Sequence, residues 1–217
     1  VGNGVGMPAA GAAADEAAPD GAPASAPAEE GPKSPATLAA SLEAKAQGER
    51  FDLNAYAVVA TVEALAALMG RARETGRLGV AVRLVDGPPM RSDIAGIGFA
   101  VAPGEAGYVP LAHSAGDLVS GNDGLSMDEA RPLIEPLLRD PSVAKVSGAM
   151  KRDVLALQQV GIAVTPIDDT GLLSYAADAG VTAHDISTLA KRYFGHPPLD
   201  DRDVMGSGRG KLPFGEV

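Results

Sequence analysis

Apolar periodicity changes character along this 217-residue chain, and the order of the changes restricts the fold. Three successive runs, Leu78 to Val85, Ile94 to Val101 and Gly107 to Leu111, are rich in β-branched and aliphatic residues. Gly87-Pro88-Pro89 and Pro103-Gly104 separate them. Runs of this kind with turn residues between them predict an antiparallel three-strand meander. From Ser126 onward helical and strand-like segments alternate instead. A meander followed by such alternation predicts an α/β domain with a mixed sheet, its later strands parallel, flanked by helices.

The individual segments carry their own boundary signals. Tyr56-Ala-Val-Val59 reads as a short strand, and Thr61 caps a helix from Val62 to about Thr75, where Leu65, Leu68 and Met69 recur at helical spacing before Gly76. Ser126-Met-Asp-Glu129 is a capping box opening a helix to about Arg139, which Pro132 and Pro136 are expected to bend or shorten. Ser142 to Val146 is expected to be a buried strand. A helix from about Met150 to Val160 ends at Gly161, Ile162 to Pro166 is expected to be one more strand, and helices follow over about Thr170 to Asp178 and Asp185 to Phe194. No internal repeat is visible.

From Val1 to about Pro35 the composition is Ala, Gly and Pro with scattered acidic residues and no hydrophobic period. Such a stretch cannot bury enough apolar surface to offset chain entropy. The expectation is a disordered linker over residues 1–50, with a short helical piece at Thr37 to Gly48, and a globular domain over 56–217. The first residue is Val rather than Met, as expected of a piece of a longer polypeptide.

Composition excludes several chemistries. With no Cys there are no disulfides, thiolate zinc sites or cysteine nucleophiles, and only 3 His remain. Lys and Arg total 18 against 28 Asp and Glu, a net charge of −10 that disfavours a nonspecific electrostatic grip on nucleic acid by this chain alone. No run approaches the roughly 18 apolar residues of a membrane span, and the Ala-rich start lacks the basic flank of a signal peptide. A soluble, cytoplasmic protein without membrane contact is expected.

The remaining candidates for chemistry are few. His113, His184 and His196 sit beside turn-like residues with no Gly-x-Ser-x-Gly elbow, so they read as surface or packing residues rather than parts of a Ser, His, Asp system. Gly206-Ser-Gly-Arg-Gly210 lacks the preceding strand, the following helix and the Lys-Ser/Thr ending of a phosphate-binding loop, and reads as a flexible loop. Asp153 on a helix and Asp168-Asp169 at a strand end could hold divalent cations through oxygen ligands; from spacing alone they read as solvated caps.

A set of collinear segments carries more. Ile94-Ala-Gly-Ile-Gly-Phe-Ala-Val-Ala-Pro-Gly104, Gly107-Tyr-Val-Pro-Leu-Ala-His113, Leu133-Ile-Glu-Pro-Leu-Leu-Arg-Asp140 and Lys145-Val146 are followed by Asp169-Thr-Gly-Leu-Leu-Ser-Tyr175 and His184-Asp-Ile-Ser-Thr-Leu-Ala190. In this order they resemble the 3′–5′ exonuclease (proofreading) domain of bacterial DNA polymerase I, family A, over about Tyr56 to Val217. The resemblance implies an RNase H-like fold, and the Ala/Pro-rich start resembles the connector after the 5′-nuclease domain.

The resemblance also implies a site, and shows it degraded. That family holds two divalent ions with four carboxylates, and the ions activate water and stabilise the leaving oxygen of the 3′-terminal phosphodiester. Its Asp-x-Glu motif falls on Ala81-Val-Arg83, so both ligands are replaced. Its Asn and following Asp fall on Ala149 and Asp153, of which only Asp153 is retained. Its Tyr-x-x-x-Asp helix is expected beyond Val217, and the domain is expected to lack its C-terminal helices. Asp86 could stand in for the first Asp only through a deletion, and its Gly-Pro-Pro context reads as a turn. Ala81, Arg83 and Asp153 are therefore vestigial positions, with no intact catalytic residue, no cofactor and no metal expected in this chain. Ala81 and Arg83 are two apart on a strand and share a face, and Arg83 is expected to replace a metal ion by pairing with Asp153.

The expected function is structural: a degenerate proofreading domain in a fragment of a polymerase that acts in DNA replication and repair. In this reading the chain has no exonuclease or polymerase activity of its own. Mg²⁺, DNA and the covalently continuous 5′-nuclease and polymerase domains are the implied cofactor and partners of the parent, in the bacterial cytoplasm at the nucleoid. The rivals are an active metal-dependent 3′–5′ exonuclease, with Asp86 and a downstream motif completing it, and a non-enzymatic DNA-binding or protein-docking module.

Overall fold

The meander forms as expected. In the computed structural model, which describes residues 34–49, 52, 55–111, 124–196 and 198–216, β2 (Arg77–Leu84) pairs antiparallel with β3 (Ile94–Ala102), and β3 with β4 (Glu105–Pro110). Strand β1 (Ala57–Val58) adds parallel to β4 at one edge; at the other, β5 (Ala144–Ser147) adds parallel to β2 and β6 (Ile167–Asp169) parallel to β5. The sheet order is β1-β4-β3-β2-β5-β6.

Alternation along β2 sets the two faces. Leu78, Val80 and Val82 are buried, whereas Ala81 between them is exposed and Arg83 is half-buried. The inward side chains meet Ile97, Phe99 and Val101 of β3 and two helices, α2 (Val62–Thr75) through Leu65, Met69 and Ala72, and α3 (Met127–Leu138) through Ala130, Ile134, Leu137 and Leu138. Burying each of the larger side chains stabilises the fold by about 1.5–3 kcal/mol. Thr61 Oγ1 accepts from the Ala64 amide at 3.2 Å to start α2, and Gly76 ends it with φ 66°, a left-handed turn that leads directly into β2.

Helix α3 keeps its capping box, Ser126 and Glu129 each accepting from the other's backbone amide. It runs unshortened through Pro132 and Pro136, against expectation. Both prolines lie four apart on the exposed side, where the carbonyls they leave without an amide partner can be hydrated.

One other expectation changes. Ile162 to Pro166 is not a strand: the Ile162 amide donates to Leu157 carbonyl at 2.8 Å and its side chain is fully buried, while the Thr165 amide donates to Leu138 carbonyl. This segment seals the end of α4 (Met150–Gln159), and hydrogen bonding with β5 begins at its last residue, where the Pro166 carbonyl accepts from the Lys145 amide at 3.1 Å, with Ile167 the first residue in register. The short helical piece expected at Thr37 to Gly48 is present as α1 (Pro35–Gly48), which starts two residues earlier; residues up to 33 of the span assigned to a linker lie outside the described residues. Ser34 caps α1 and Pro35 starts it, and none of its residues is buried. Helices α5 (Thr170–Asp178), α6 (Ile186–Phe194) and α7 (Asp201–Met205) complete the regular structure, with short 3₁₀ turns at Gly208–Gly210 and Phe214–Glu216. No helix among the described residues is long and apolar enough to cross a membrane.

Candidate functional site

The C-terminal end of β2, the start of α4 and the segment after α6 converge on one cleft of about 380 Å³. Arg83, Arg152 and Lys211 line it together with Asp86, Asp201 and Phe214. Of the three positions expected to be vestigial, Ala81 and Arg83 do share a face of β2, but Arg83 does not pair with Asp153. Its Nη1 donates to Asp201 Oδ1 at 2.8 Å, and the guanidinium lies 5.4 Å from the centre of the Phe214 ring. The expected Arg83–Asp153 pair is thus corrected, because the segment after α6 brings an acid 118 positions away within closer reach.

Asp153 is instead enclosed from its own side of the cleft. Its side chain is 1% exposed and is not part of the cleft wall. Ser147 Oγ, at the end of β5, donates to Oδ2 at 2.6 Å, and Arg152 Nε and Nη2 donate to Oδ1 at 3.2 and 3.1 Å. Arg152 Nη2 also donates to the Val82 carbonyl at 3.1 Å, which ties α4 to β2. An Arg does pair with Asp153, but from the preceding residue, Arg152, rather than across the cleft.

The other acidic candidates have local duties. Asp169 caps α5 by accepting from the Leu172 amide at 3.0 Å and holds the start of α4 by accepting from the Met150 amide at 3.1 Å, where Ala149 supplies no side-chain cap. Asp168 is exposed, and Asp86 accepts from the Gly87 amide within its turn. Among the described residues, no three acidic or imidazole side chains converge as a metal-binding group. The donor set does not fit two divalent cations: two carboxylates share the cleft with three cationic side chains, and Asp153 has both oxygens engaged.

His184 Nδ1 lies 2.9 Å from Ser174 Oγ, with the Tyr175 ring edge-on at 5.4 Å, a packing contact between α5 and the start of α6; His113 lies outside the described residues. Gly206-Ser-Gly-Arg-Gly210 is a turn between α7 and a 3₁₀ turn, without flanking strand or long helix. Two titratable groups near the sheet are perturbed. Tyr108, on the same side of the meander as Arg83, is pushed up to about 12, chiefly by burial, with the charge of Arg83 opposing. Lys145 is fully buried, and burial lowers its pKa while Asp140 opposes the shift. Its Nζ donates to the carbonyls of Leu137, Asp140 and Val143 at 3.1, 2.7 and 2.7 Å, and so closes the C-terminal end of α3.

Sequence reasoning missed Ser147, Arg152, Asp201 and the role of Lys145. A lone Lys within the apolar run Val143 to Val146 was the available signal for the last. The pairing of Asp201 had no local signal.

A mixed sheet with a leading antiparallel meander, parallel strands added at its edge and helices packed against it defines an RNase H-like fold of the kind found in exonucleases. Trypanosoma brucei RNase D, solved as a complex with GMP, matches with a TM-score of 0.59 at 16% identity, over 75% of this chain and 49% of that one. At that identity the likeness establishes the fold. The family model for the 3′–5′ exonuclease of family A DNA polymerases matches residues 56–216, and the chain belongs to that family. DNA polymerase I of Rhizobium leguminosarum is 34% identical over 199 residues, 85% of this chain and 20% of that protein. DNA polymerase I of Pseudomonas aeruginosa is 37% identical over 131 residues, 59% of this chain and 14% of that protein. The chain spans a fifth or less of the length of these two relatives.

Proposed function

We propose that this exonuclease domain is inactive in hydrolysis and serves its parent polymerase as a structural module between the 5′-nuclease and polymerase parts. Ala81 and Arg83 are the positions of two lost metal ligands and Asp153 is the retained one. The observation that carries the reading is the state of Asp153, whose two carboxylate oxygens are held by Ser147 and Arg152 instead of facing the cleft. Two-metal hydrolysis needs carboxylates that bridge and neutralise the ions, and guanidinium groups at Arg83 and Arg152 add positive charge there. The parent would act on DNA in replication and repair, with Mg²⁺ at its polymerase site, in the bacterial cytoplasm at the nucleoid. The test is titration of the purified chain with Mn²⁺, followed by electron paramagnetic resonance of the free ion. No saturable binding below the millimolar range is expected. Tight binding lost in Asp153→Ala would overturn the reading.

A further inference from the structure

We propose that Arg83 is a latch that holds the C-terminal strap, Asp200 to Glu216, closed against the solvent-facing side of the meander. Both ends of the strap converge on this one guanidinium. Asp201 near its start pairs with Arg83 Nη1 at 2.8 Å, and Phe214 near its end lies under the same guanidinium at 5.4 Å. Phe214 in turn meets the Tyr108 ring of β4 edge-on, with centroids 6.2 Å apart and an interplanar angle of 76°. Its 3₁₀ turn packs on β2.

The strap is tied to itself, so it moves as a unit. The Gly206 amide closes α7 by donating to the Arg202 carbonyl at 3.0 Å, and the Leu212 amide donates to the Met205 carbonyl at 2.9 Å, which joins the outgoing and returning legs. Met205, Lys211, Leu212 and Pro213 form one wall of the 380 Å³ cleft, and Val82 to Gly87 with Arg152 form the other. Opening the latch therefore widens the cleft. Arg83, Arg152 and Lys211 line this cleft with Asp86 and Asp201, so loss of the Asp201 charge leaves a cleft with an excess of positive charge. The Arg83–Asp201 pair is 37% and 57% exposed in its two side chains, so salt weakens it and the strap is poised to open. This role belongs to Arg83 whether or not the domain cleaves DNA.

The test is amide hydrogen exchange, read by mass spectrometry, on the full chain and on Arg83→Gln, Arg83→Lys and Asp201→Asn. In Arg83→Gln, exchange in peptides covering 201–216 should accelerate about five- to tenfold, the size expected when a part-exposed ion pair and a cation–π contact are lost together. Peptides covering β3 and α3 should be unchanged. Asp201→Asn, which leaves the sheet intact, should accelerate the same peptides, and Arg83→Lys should fall between wild type and Arg83→Gln because it keeps the charge and loses the planar stack. Two results would overturn the latch. One is strap exchange that is unchanged in both Arg83→Gln and Asp201→Asn. The other is acceleration that appears only as part of a uniform loss of protection across β3 and α3.

Discussion

Arg152 and Asp153 are consecutive residues of α4, and the guanidinium of the first folds back onto the carboxylate of the second, Nε and Nη2 sharing Oδ1 at 3.2 and 3.1 Å. Ser147 closes the other oxygen. The acid is 1% exposed and the arginine 43% exposed, so the pair is a buried anion covered by a cation at the surface. A buried carboxylate is tolerated only when its lone pairs are met.

Removing either partner should therefore cost more than its solvent exposure suggests. Arg152→Ala leaves Asp153 with Ser147 alone and should destabilise the domain by about 1–3 kcal/mol. Asp153→Ala should cost a similar amount, and the double variant less than the sum of the two. Urea unfolding of the three variants measures the coupling. Strict additivity would mean that the contact contributes nothing.

Lys145 offers a sharper stability test. Its ammonium donates to three carbonyls at the end of α3, and Lys145→Met fills a similar volume while removing those three charge-assisted bonds; the Leu137 and Asp140 carbonyls keep the amides of Asp140 and Val143. A loss of about 1–3 kcal/mol is expected, from the buried charge-assisted hydrogen bonds that disappear. Lys145→Ala should lose more, because it adds a cavity. The midpoints of urea denaturation report both.

Tyr108 predicts an alkaline limit. Its pKa in the fold is about 12 against 10.0 for a free tyrosine, so the unfolded chain releases this proton first as pH rises. Stability from this group is complete below pH 10 and is lost between about 10 and 12. Tyr108→Phe should remove that loss, so the difference in stability between the two proteins should shrink or change sign across this window. Absorbance titration of the phenolate should show one component near 12 that the variant lacks.

The sheet was legible because its strands carry local signals: Leu78, Val80 and Val82 alternate with small or polar residues, and Gly87 and Gly104 mark the turns. Helices α2 to α4 were legible from caps and spacing. The strand placed at Ile162 to Pro166 failed because an apolar run pairs or packs according to what lies beside it. Here the Leu157 and Leu138 carbonyls take the Ile162 and Thr165 amides, and β5 is met first at the Pro166 carbonyl. Helix α1 was legible over Thr37 to Gly48 although it buries nothing. In the site, the shared face of Ala81 and Arg83 followed from strand geometry. The partner of Arg83 did not, since Asp201 reaches it only through the folded path of the strap.

The account stands most directly on nuclease activity. End-labelled single-stranded DNA should be incubated with the purified chain, and in parallel with the polymerase that contains it, in Mg²⁺ and in Mn²⁺. No shortening from the 3′ end above that seen with an Asp153→Ala control is predicted for either. Metal-dependent shortening that disappears in Asp153→Ala would show that Asp153 leaves Arg152 and Ser147 to hold an ion, and would contradict the account.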